Sequence, residues 1–285
     1  MTPSGRVVLV ATPIGNLGDL SPRAVAALDA ADVVCCEDTR RTRALLSAAG
    51  VAGRGRLVSL HEHNEDARIP EVLGWVEEGR TVAVVTDAGT PAVSDPGERL
   101  VAAAARRGLT VTVVPGPSSV LAALVVSGLP TERFCVEGFL PRKGAERHRR
   151  VAALAAEERT AVVLEAPGRL AATLAELAAA LGERPVAVVR ELTKVHEEVW
   201  RGTLADAAAE FAAREVRGEV AVVVGGAPPP GPVPDERVAA AVAGRLAAGD
   251  SARAAADAVA AALGVGRRRA YQAAIAQRAA TPPQG

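Results

Sequence analysis

The stretch RVVLVATPIGN, residues 6–16, decides the fold of this chain. Its apolar run, Val7–Val10, passes directly into a loop that holds proline and glycine, Ala11–Asn16. A short apolar run that ends in such a loop is typical of a buried strand in a parallel sheet. Glycine in a loop between a strand and a helix lets backbone N–H groups come close to a ligand. The stretch therefore predicts an α/β enzyme with a cleft at the end of its first strand.

The same alternation of Val-rich runs and Ala/Leu/Glu/Arg-rich segments continues along the chain, as expected for parallel strands with crossover helices. The first sheet is predicted to contain strands Arg6–Ala11, Val33–Glu37, Arg56–Leu60, Thr81–Thr86 and Thr110–Val114. The second is predicted to contain Arg133–Glu137, Thr160–Glu165, Val186–Arg190, Glu197–Gly202 and Glu219–Val224. Too few residues separate Val186–Arg190 from Glu197–Gly202 for a crossover helix. These two should form a hairpin, which makes the second sheet mixed.

The sequence divides into three predicted regions. Residues 1–115 form an N-terminal α/β lobe, residues 116–226 a C-terminal α/β lobe, and residues 232–280 a small helical extension. The Pro-rich segment Ala227–Pro234 is expected to be a stiff linker, because proline cannot join a sheet interior. The last residues, Thr281–Gly285, are expected to be a disordered tail.

Composition and charge restrict the classes of function. The chain has 33 Lys+Arg and 33 Asp+Glu residues, so its net charge is zero, which argues against a protein that merely coats nucleic acid. A local basic patch could still hold nucleic acid as a substrate. No apolar run approaches the ~20 residues of a membrane span, and the first residues lack a signal-peptide pattern. With three cysteines, two of them adjacent, the sequence indicates a reducing, cytoplasmic location and no membrane association.

Two further loops resemble the first in their setting. Thr86–Pro91 (TDAGTP) and Pro115–Ser119 (PGPSS) each follow a predicted strand and lead towards a helix. Ligands of open α/β sheets bind at such strand ends. The chain contains no GxGxxG and no P-loop motif, which argues against Rossmann-type NAD binding and P-loop nucleotide hydrolysis.

Polar and basic clusters accompany these loops. Glu37–Arg40 (EDTR) closes the second strand and His61–Glu65 (HEHNE) closes the third. His61 and His63 would point to opposite faces of a continued strand and have no evident third ligand, so we expect no metal. Basic clusters occur at Arg40, Arg41 and Arg43, at Arg142–Arg150, and at Arg267–Arg269. Such clusters are either solvated faces or contacts for a phosphate backbone.

Several motifs occur together in the order found in one known family. They are Ala11–Asn16, Glu37–Arg40, His61–Glu65, Asp87–Pro91, Pro115–Ser118, Phe134–Pro141 (FCVEGFLP) and Arg190–Lys194 (RELTK). With them the chain resembles the tetrapyrrole (corrin/porphyrin) methylase superfamily, and within it the branch that methylates small-subunit ribosomal RNA. The resemblance implies a two-lobed α/β enzyme, a homodimer, that uses S-adenosylmethionine. Its product would be a 2′-O-methylated cytidine in the decoding region of 16S rRNA, within the small ribosomal subunit.

The resemblance also implies roles for individual residues. Donor contacts are expected from Asp87, Ala88, Gly89, Thr90, Ser118, Ser119, Leu140 and Pro141. Substrate contacts are expected from Asn16, Arg40, Arg142, Lys143, Arg169 and Lys194. Relatives often carry a histidine where this chain has Gly168. Glu165 and Arg169 are therefore the better candidates for a role in that segment.

The candidate general bases for the ribose hydroxyl are Asp38, His61, Glu65 and Asp87, with Asp38 favoured. Two other functions stay open: methylation of a small tetrapyrrole or corrinoid ring, and ribosome assembly without catalysis. The EDTR and RELTK motifs with the arginine clusters favour RNA, and three donor loops argue against a non-catalytic factor. The C-terminal helices could either dock on rRNA through Arg267–Arg269 and Tyr271 or pack against the dimer.

Overall fold

A computed structural model describes residues 5–52, 55–228 and 231–280. Contacts divide the described residues into two compact units, with the division between Ala227 and Pro228. The first unit contains two five-stranded sheets. The tail Thr281–Gly285 and two prolines of the predicted linker, Pro229 and Pro230, lie outside the described residues.

The first sheet is parallel throughout. Its strands are β1 (Arg6–Val10), β2 (Val33–Cys36), β3 (Arg56–Ser59), β4 (Thr81–Val85) and β5 (Thr110–Val114), in the order β3-β2-β4-β1-β5. The helices that follow the first four strands are α1 (Pro22–Asp29), α2 (Thr39–Ala48), α3 (Glu65–Glu77) and α4 (Glu98–Arg106). The predicted strands are confirmed to within one residue at each end. Parallel pairing brings all the loops at the carboxyl ends to one edge of the sheet.

Helix α1 shows how local sequence sets an element boundary. The Ser21 hydroxyl accepts a hydrogen bond from the Ala24 N–H at 3.1 Å, and Pro22 occupies the first helical position. Proline fits there because the first helical N–H groups have no partner within the helix. The loop Thr12–Asn16 is therefore held between a buried strand and a fixed helix start.

The second sheet is mixed, as predicted. Its strands are β6 (Phe134–Phe139), β7 (Thr160–Glu165), β8 (Pro185–Arg190), β9 (Glu198–Thr203) and β10 (Val220–Val224), in the order β6-β7-β10-β8-β9. Only the pair β6–β7 is parallel among these described strands, and β8–β9 is the expected hairpin. The accompanying helices are α5 (Ser119–Ser127), α6 (Ala145–Ala156), α7 (Leu170–Leu181) and α8 (Leu204–Ala212).

Each sheet is covered by apolar side chains on both faces, which explains why its strands are Val-rich on both sides. Helices α3 and α4 pack on one face of the first sheet, and α1 and α2 on the other. Helices α6, α7 and α8 cover one face of the second sheet. The other face is covered by α5, through Val120, Ala123 and Leu124. The predicted boundary between the lobes, at residues 115–116, stays a prediction.

The second unit is helical, as predicted. It contains α9 (Asp235–Ala247), α10 (Ala252–Leu263) and α11 (Arg267–Ala280), packed around Val238, Val242 and Val259. Across the described part of the chain, we find no helix with the length and apolar character needed to cross a bilayer.

Candidate functional site

A cleft of about 420 Å³ lies between the loops of the two sheets. The first half of the chain contributes Ile14, Glu37, Arg41, Asp87, Ala88, Val93, Ser94, Asp95 and Ser119. The second half contributes Phe139, Leu164, Glu165, Ala166, Pro167, Val189, Leu192 and Gly218–Ala221. The lining combines apolar patches with a few carboxylates and one guanidinium, a combination typical of ligand sites.

The three loops at the edge of the first sheet are hydrogen-bonded to one another. Thr12 and Gly89 exchange two backbone hydrogen bonds, of 2.9 and 3.1 Å, and form an isolated antiparallel bridge. The Thr90 hydroxyl donates to the Pro117 carbonyl at 3.0 Å. Gly89 has φ +91°, a conformation that side-chain-bearing residues rarely adopt. The loops predicted separately from the sequence thus form one wall of the cleft.

The first loop also contacts the second lobe at the RELTK turn. A Cβ on Gly15 would lie 2.4 Å from Lys194 Cγ and 2.8 Å from Thr193 Oγ1, so only glycine fits there. Lys194 Nζ pairs with Glu191 at 2.9 Å and with Glu219 at 3.2 Å. Burial lowers the pKa of Lys194, but these two carboxylates outweigh it and the pKa is raised. Lys194, a predicted substrate contact, is therefore a charged part of the contact between the lobes.

The EDTR motif places its charges around Asp87. The Asp87 carboxylate accepts from the Asp38 N–H and from Arg41 Nη1, each at 3.1 Å. The Asp38 side chain caps α2 by accepting from the Arg40 N–H at 2.7 Å, and it pairs with the Arg40 guanidinium at 3.3 Å. These bonds, the backbone one foremost, lower the pKa of Asp38. Its carboxylate is thereby a weaker base than an ordinary aspartate.

Glu65, a candidate base, is buried at the start of α3 and is bonded to the next loop. Its carboxylate accepts from the N–H groups of Gly97 at 3.1 Å and Leu100 at 3.0 Å, and from Arg99 Nε at 3.2 Å. It thereby supplies the cap that the start of α4 lacks in its own sequence. The contacts place Glu65 as an anchor of the segment between Pro91 and α4.

His61, the third candidate base, lies in the turn that follows β3. Its N–H donates to Asn64 Oδ1 at 2.8 Å, and its buried Nδ1 has no hydrogen-bond partner among the described residues. The rings of His61 and His63 are 6.1 Å apart in an edge-to-face arrangement. Neither ring belongs to the residues that line the cleft in the described part of the chain.

The second lobe carries a second depression next to the cleft. Phe139, Leu140, Pro141, Arg142, Ala166 and Arg169 line it. Arg169 pairs with the buried Glu165 at 2.5 Å and donates to the Leu140 carbonyl at 3.2 Å. Leu140 and Pro141, which are predicted donor contacts, thus lie beside Arg169. So does Arg142, a predicted substrate contact.

The basic cluster Arg142–Arg150 is divided by the fold. Arg147 is buried and donates to Glu176 at 2.6 Å and to the Thr173 hydroxyl at 3.0 Å. The prediction that Arg147 belongs to a phosphate-binding patch is therefore wrong. The helical period is the reason, because Arg147 faces α7. Arg150 pairs with Glu137 at 2.6 Å. Arg142 and Lys143 are exposed and form no ion pair within the described residues.

The structure brings some predicted site residues together and leaves others apart. Asp87, Ala88 and Ser119 line the cleft, while Gly89, Thr90 and Ser118 hold its loops. Among the residues described, Asp38, His61, Glu65, Asn16, Arg40 and Lys143 are outside the lining of both depressions. The Asn16 side chain caps a short 3-10 turn by accepting from the Gly18 N–H at 2.9 Å. All these roles stay predictions.

Four charged residues of the cleft were given no site role from the sequence: Glu37, Arg41, Asp95 and Glu219. Two of them belong to, or directly follow, a motif that was recognised, since Glu37 opens EDTR and Arg41 comes after it. Asp95 stands in a turn beyond TDAGTP, where burial raises its pKa to about 7, helped by the charges of Glu37, Asp87 and Glu219.

Comparison with known proteins identifies the enzyme family to which this chain belongs. Residues 6–208 match the family Tetrapyrrole (Corrin/Porphyrin) Methylases, and the chain belongs to this family. A solved relative is uroporphyrin-III C-methyl transferase from Thermus thermophilus complexed with S-adenyl homocysteine. It is 27% identical with a TM-score of 0.55, over 78% of this chain and 97% of that one.

Sequence relatives share one more specific name, ribosomal RNA small subunit methyltransferase I. The protein of that name from Mycobacterium tuberculosis is 56% identical over 227 residues, 79% of either chain. The one from Thermotoga maritima is 43% identical over 222 residues, 78% of this chain and 99% of that one.

Proposed function

We propose that this chain is an S-adenosylmethionine-dependent methyltransferase of 16S rRNA in the small ribosomal subunit. It methylates the ribose 2′-oxygen of a cytidine in the decoding region and acts in the cytoplasm. The observation that carries the proposal is the cleft built from three linked loops of one lobe and facing loops of the other. The relatives' shared name supports the RNA substrate, and the related structure with S-adenyl homocysteine supports the donor.

The cleft residues fit such a donor. Its sulfonium is a cation, and the lining holds the carboxylate of Asp87 in the expected donor loop. Apolar side chains such as Ile14 and Phe139 can cover the uncharged adenosine. The positive φ of Gly89 and its two hydrogen bonds with Thr12 fix the shape of the loop that carries Asp87. Charge, apolar cover and a fixed loop thus suit the same molecule.

When bound, S-adenosylmethionine supplies an electrophilic methyl carbon and a thioether leaving group. The chain's own work is to hold the ribose hydroxyl in line with that carbon, which contributes several kcal/mol to catalysis. We assign donor binding to the loops Asp87–Thr90 and Ser118–Ser119, with Leu140 and Pro141 at the adenosine end. Arg142 and Lys143 are free to meet phosphate, whereas Arg40, Arg169 and Lys194 would exchange a carboxylate partner for it.

The experiment combines purified small subunits that lack the modification with labelled donor, followed by mapping of modified riboses. A label on a cytidine 2′-oxygen supports the proposal, and a label on a base refutes it. Transfer only to a small tetrapyrrole supports the alternative ring methylase. No transfer to either substrate supports a non-catalytic assembly factor.

A pair of variants tests the cleft itself. Ser119→Trp should fill the cleft, and donor binding measured by calorimetry should fall at least about tenfold because shape complementarity at the site is lost. Ala145→Trp, at the exposed start of α6, is the matched control and should bind donor normally. Equal affinity in both variants would place the donor elsewhere.

We further propose that the protein is a homodimer. Leu121 and Val125 lie one turn apart on α5 with 52% and 68% of their surface exposed. Edge strand β5 adds Val113, which is 44% exposed. Large exposed apolar side chains of this kind are typical of interaction sites, and the second copy of the chain is the occupant that we propose.

We propose that the helical unit contacts rRNA. Its α11 exposes Tyr271 and Ile275, at 46% and 47%, one turn apart. Arg267 and Arg269 of the predicted cluster pair with Asp257 and Asp235 inside the unit. Arg268 forms no such pair within the described residues and lies three positions before Tyr271, on the same face. An aromatic ring beside a free guanidinium suits stacking on an exposed base.

A further inference from the structure

Asp95 is a cleft carboxylate whose place in the fold is tightly fixed. It lies in the turn between Pro91 and α4, and the turn closes with a hydrogen bond from the Ala92 N–H to the Pro96 carbonyl at 3.1 Å. Ala92 and Ser94 have φ of +67° and +61°, values that non-glycine residues adopt only where the surroundings enforce them. The buried Glu65 carboxylate holds Gly97 from behind. Asp95 is therefore presented to the cleft by a rigid support.

Its carboxylate differs from the paired carboxylates of the cleft. Asp87 pairs with Arg41, Glu165 with Arg169, and Glu219 with Lys194. Asp95 forms no hydrogen bond or ion pair with any residue that the structure describes, although it lines the cleft. A half-buried acid that lines the cleft and has no partner is available to a ligand bound there.

The charges around Asp95 raise its affinity for a proton. Burial raises its pKa most, and the anions Glu37 at the end of β2, Asp87 after β4 and Glu219 before β10 raise it further, to about 7. The cation of the described lining, Arg41, is paired with Asp87. A base whose pKa is near the working pH combines a useful ionised fraction with a stronger pull on a proton than an ordinary carboxylate.

We propose that Asp95 is the general base of the methyl transfer, in place of Asp38, His61, Glu65 or Asp87. This assignment rests on the proposed function. As the bond forms between the ribose oxygen and the methyl carbon, the hydroxyl proton passes to an Asp95 carboxylate oxygen. The electron pair of the broken carbon–sulfur bond remains on sulfur, which becomes a neutral thioether. Protonated Asp95 then releases its proton to water. Glu37 is a positioning residue that acts through its charge on Asp95.

The test uses the full chain, labelled donor and purified small subunits, in single turnovers between pH 5.5 and 9. The parent protein should lose rate below an apparent pKa near 7. Asp95→Asn should slow transfer by about 10²–10⁴-fold with donor affinity by calorimetry within about threefold of the parent. Asp95→Glu should recover part of the rate. Glu98→Gln, at the exposed start of α4 and outside the cleft lining, should remain within about threefold in rate.

Glu37→Gln supplies a readout that a merely structural role would not give. It should move the acid limb of the pH profile to lower pH and leave the rate at pH 8.5 nearly unchanged. In the free protein, the carbon-13 titration of the Asp95 carboxyl should move in the same direction. Circular dichroism and thermal unfolding establish that each variant is folded.

The outcomes separate this assignment from the proposed function. A parent protein that labels no RNA refutes the proposed function. An active parent with Asp95→Asn within about fivefold of its rate overturns the role of Asp95 alone. Loss of donor binding in a folded Asp95→Asn protein also overturns it, since it would make Asp95 a donor ligand. An acid limb unmoved by Glu37→Gln overturns the proposed action of Glu37.

Discussion

Replacement of Glu65 by alanine tests the structural work that the contacts assign to this residue. Glu65 is 3% exposed, and its carboxylate receives two backbone N–H groups and one guanidinium N–H. Removal leaves the buried Gly97 and Leu100 amides without partners, at about 1–3 kcal/mol each. The Arg99 side chain is 42% exposed, so water replaces most of the interaction that it loses with Glu65. We expect the free energy of unfolding to fall by about 3 kcal/mol.

The matching shift in Tm follows from the size of the first unit. A domain of this size loses about 2–4 °C per kcal/mol, so Tm should fall by about 6–12 °C. Calorimetry and urea titration followed by circular dichroism measure the two quantities. Glu65→Gln keeps an oxygen that accepts from the backbone and should lose only about 1 kcal/mol.

Glu71→Ala is the matched control on the same helix. The side chains of Glu71 and of its ion-pair partner Arg68 are each 39% exposed. The free energy of unfolding should therefore fall by no more than about 0.5 kcal/mol. A loss below about 1 kcal/mol for Glu65→Ala would refute the anchoring role. A folded Glu65→Gln protein with unchanged Tm and no methyl transfer would instead favour the catalytic role predicted from the sequence.

Three other substitutions have clear expected outcomes. Gly15→Ala would place a Cβ 2.4 Å from Lys194 Cγ, so the free energy of unfolding measured in urea should fall by about 1–3 kcal/mol. Gly74→Ala is the control, because a Cβ there would have no atom within 4 Å and should not destabilise the protein. Leu121→Arg should halve the mass seen by sedimentation; an unchanged mass would place the dimer contact elsewhere. Burial raises the pKa of Asp95 from 3.8 to about 7, so this acid reduces stability as pH rises through that window. Asp95→Asn should therefore stabilise by about 1–2 kcal/mol at pH 8, after allowance for solvent screening, and little at pH 4; equal effects at both would contradict the raised pKa.

The strands could be predicted because burial on both faces demands a continuous apolar run. The run Val7–Val10 and its Val-rich counterparts have no other stable place in an Ala-rich α/β protein. The hairpin of β8 and β9 followed from the short connection alone. Most strand ends differed by at most one residue, and the two-residue difference at the end of β6 occurs where the register shifts at Gly138.

The site was predicted less completely, because sequence gives the residue type and not the partner. Asp38 and Glu65 were recognised as acids near strand ends, but their oxygens are used by backbone N–H groups of α2 and α4. Arg147 was counted as a surface charge and is buried against α7. Asp95 was given no role because its raised pKa depends on burial and on the charges of Glu37, Asp87 and Glu219, which only the fold brings near it.

The segment Pro115–Ser118 leads from the first sheet to α5, which is built into the second. Two of its four residues are prolines with fixed φ, and a Cβ on Gly116 would lie 3.0 Å from that of Ala11. The covalent connection between the sheets is therefore stiff, and it leads directly to Ser119, which lines the ligand cleft. The width of the cleft is set largely by peptide geometry and less by packing that a ligand could rearrange. Binding should accordingly leave the distance between the two sheets unchanged, a property that pairs of spin labels on the lobes can follow directly.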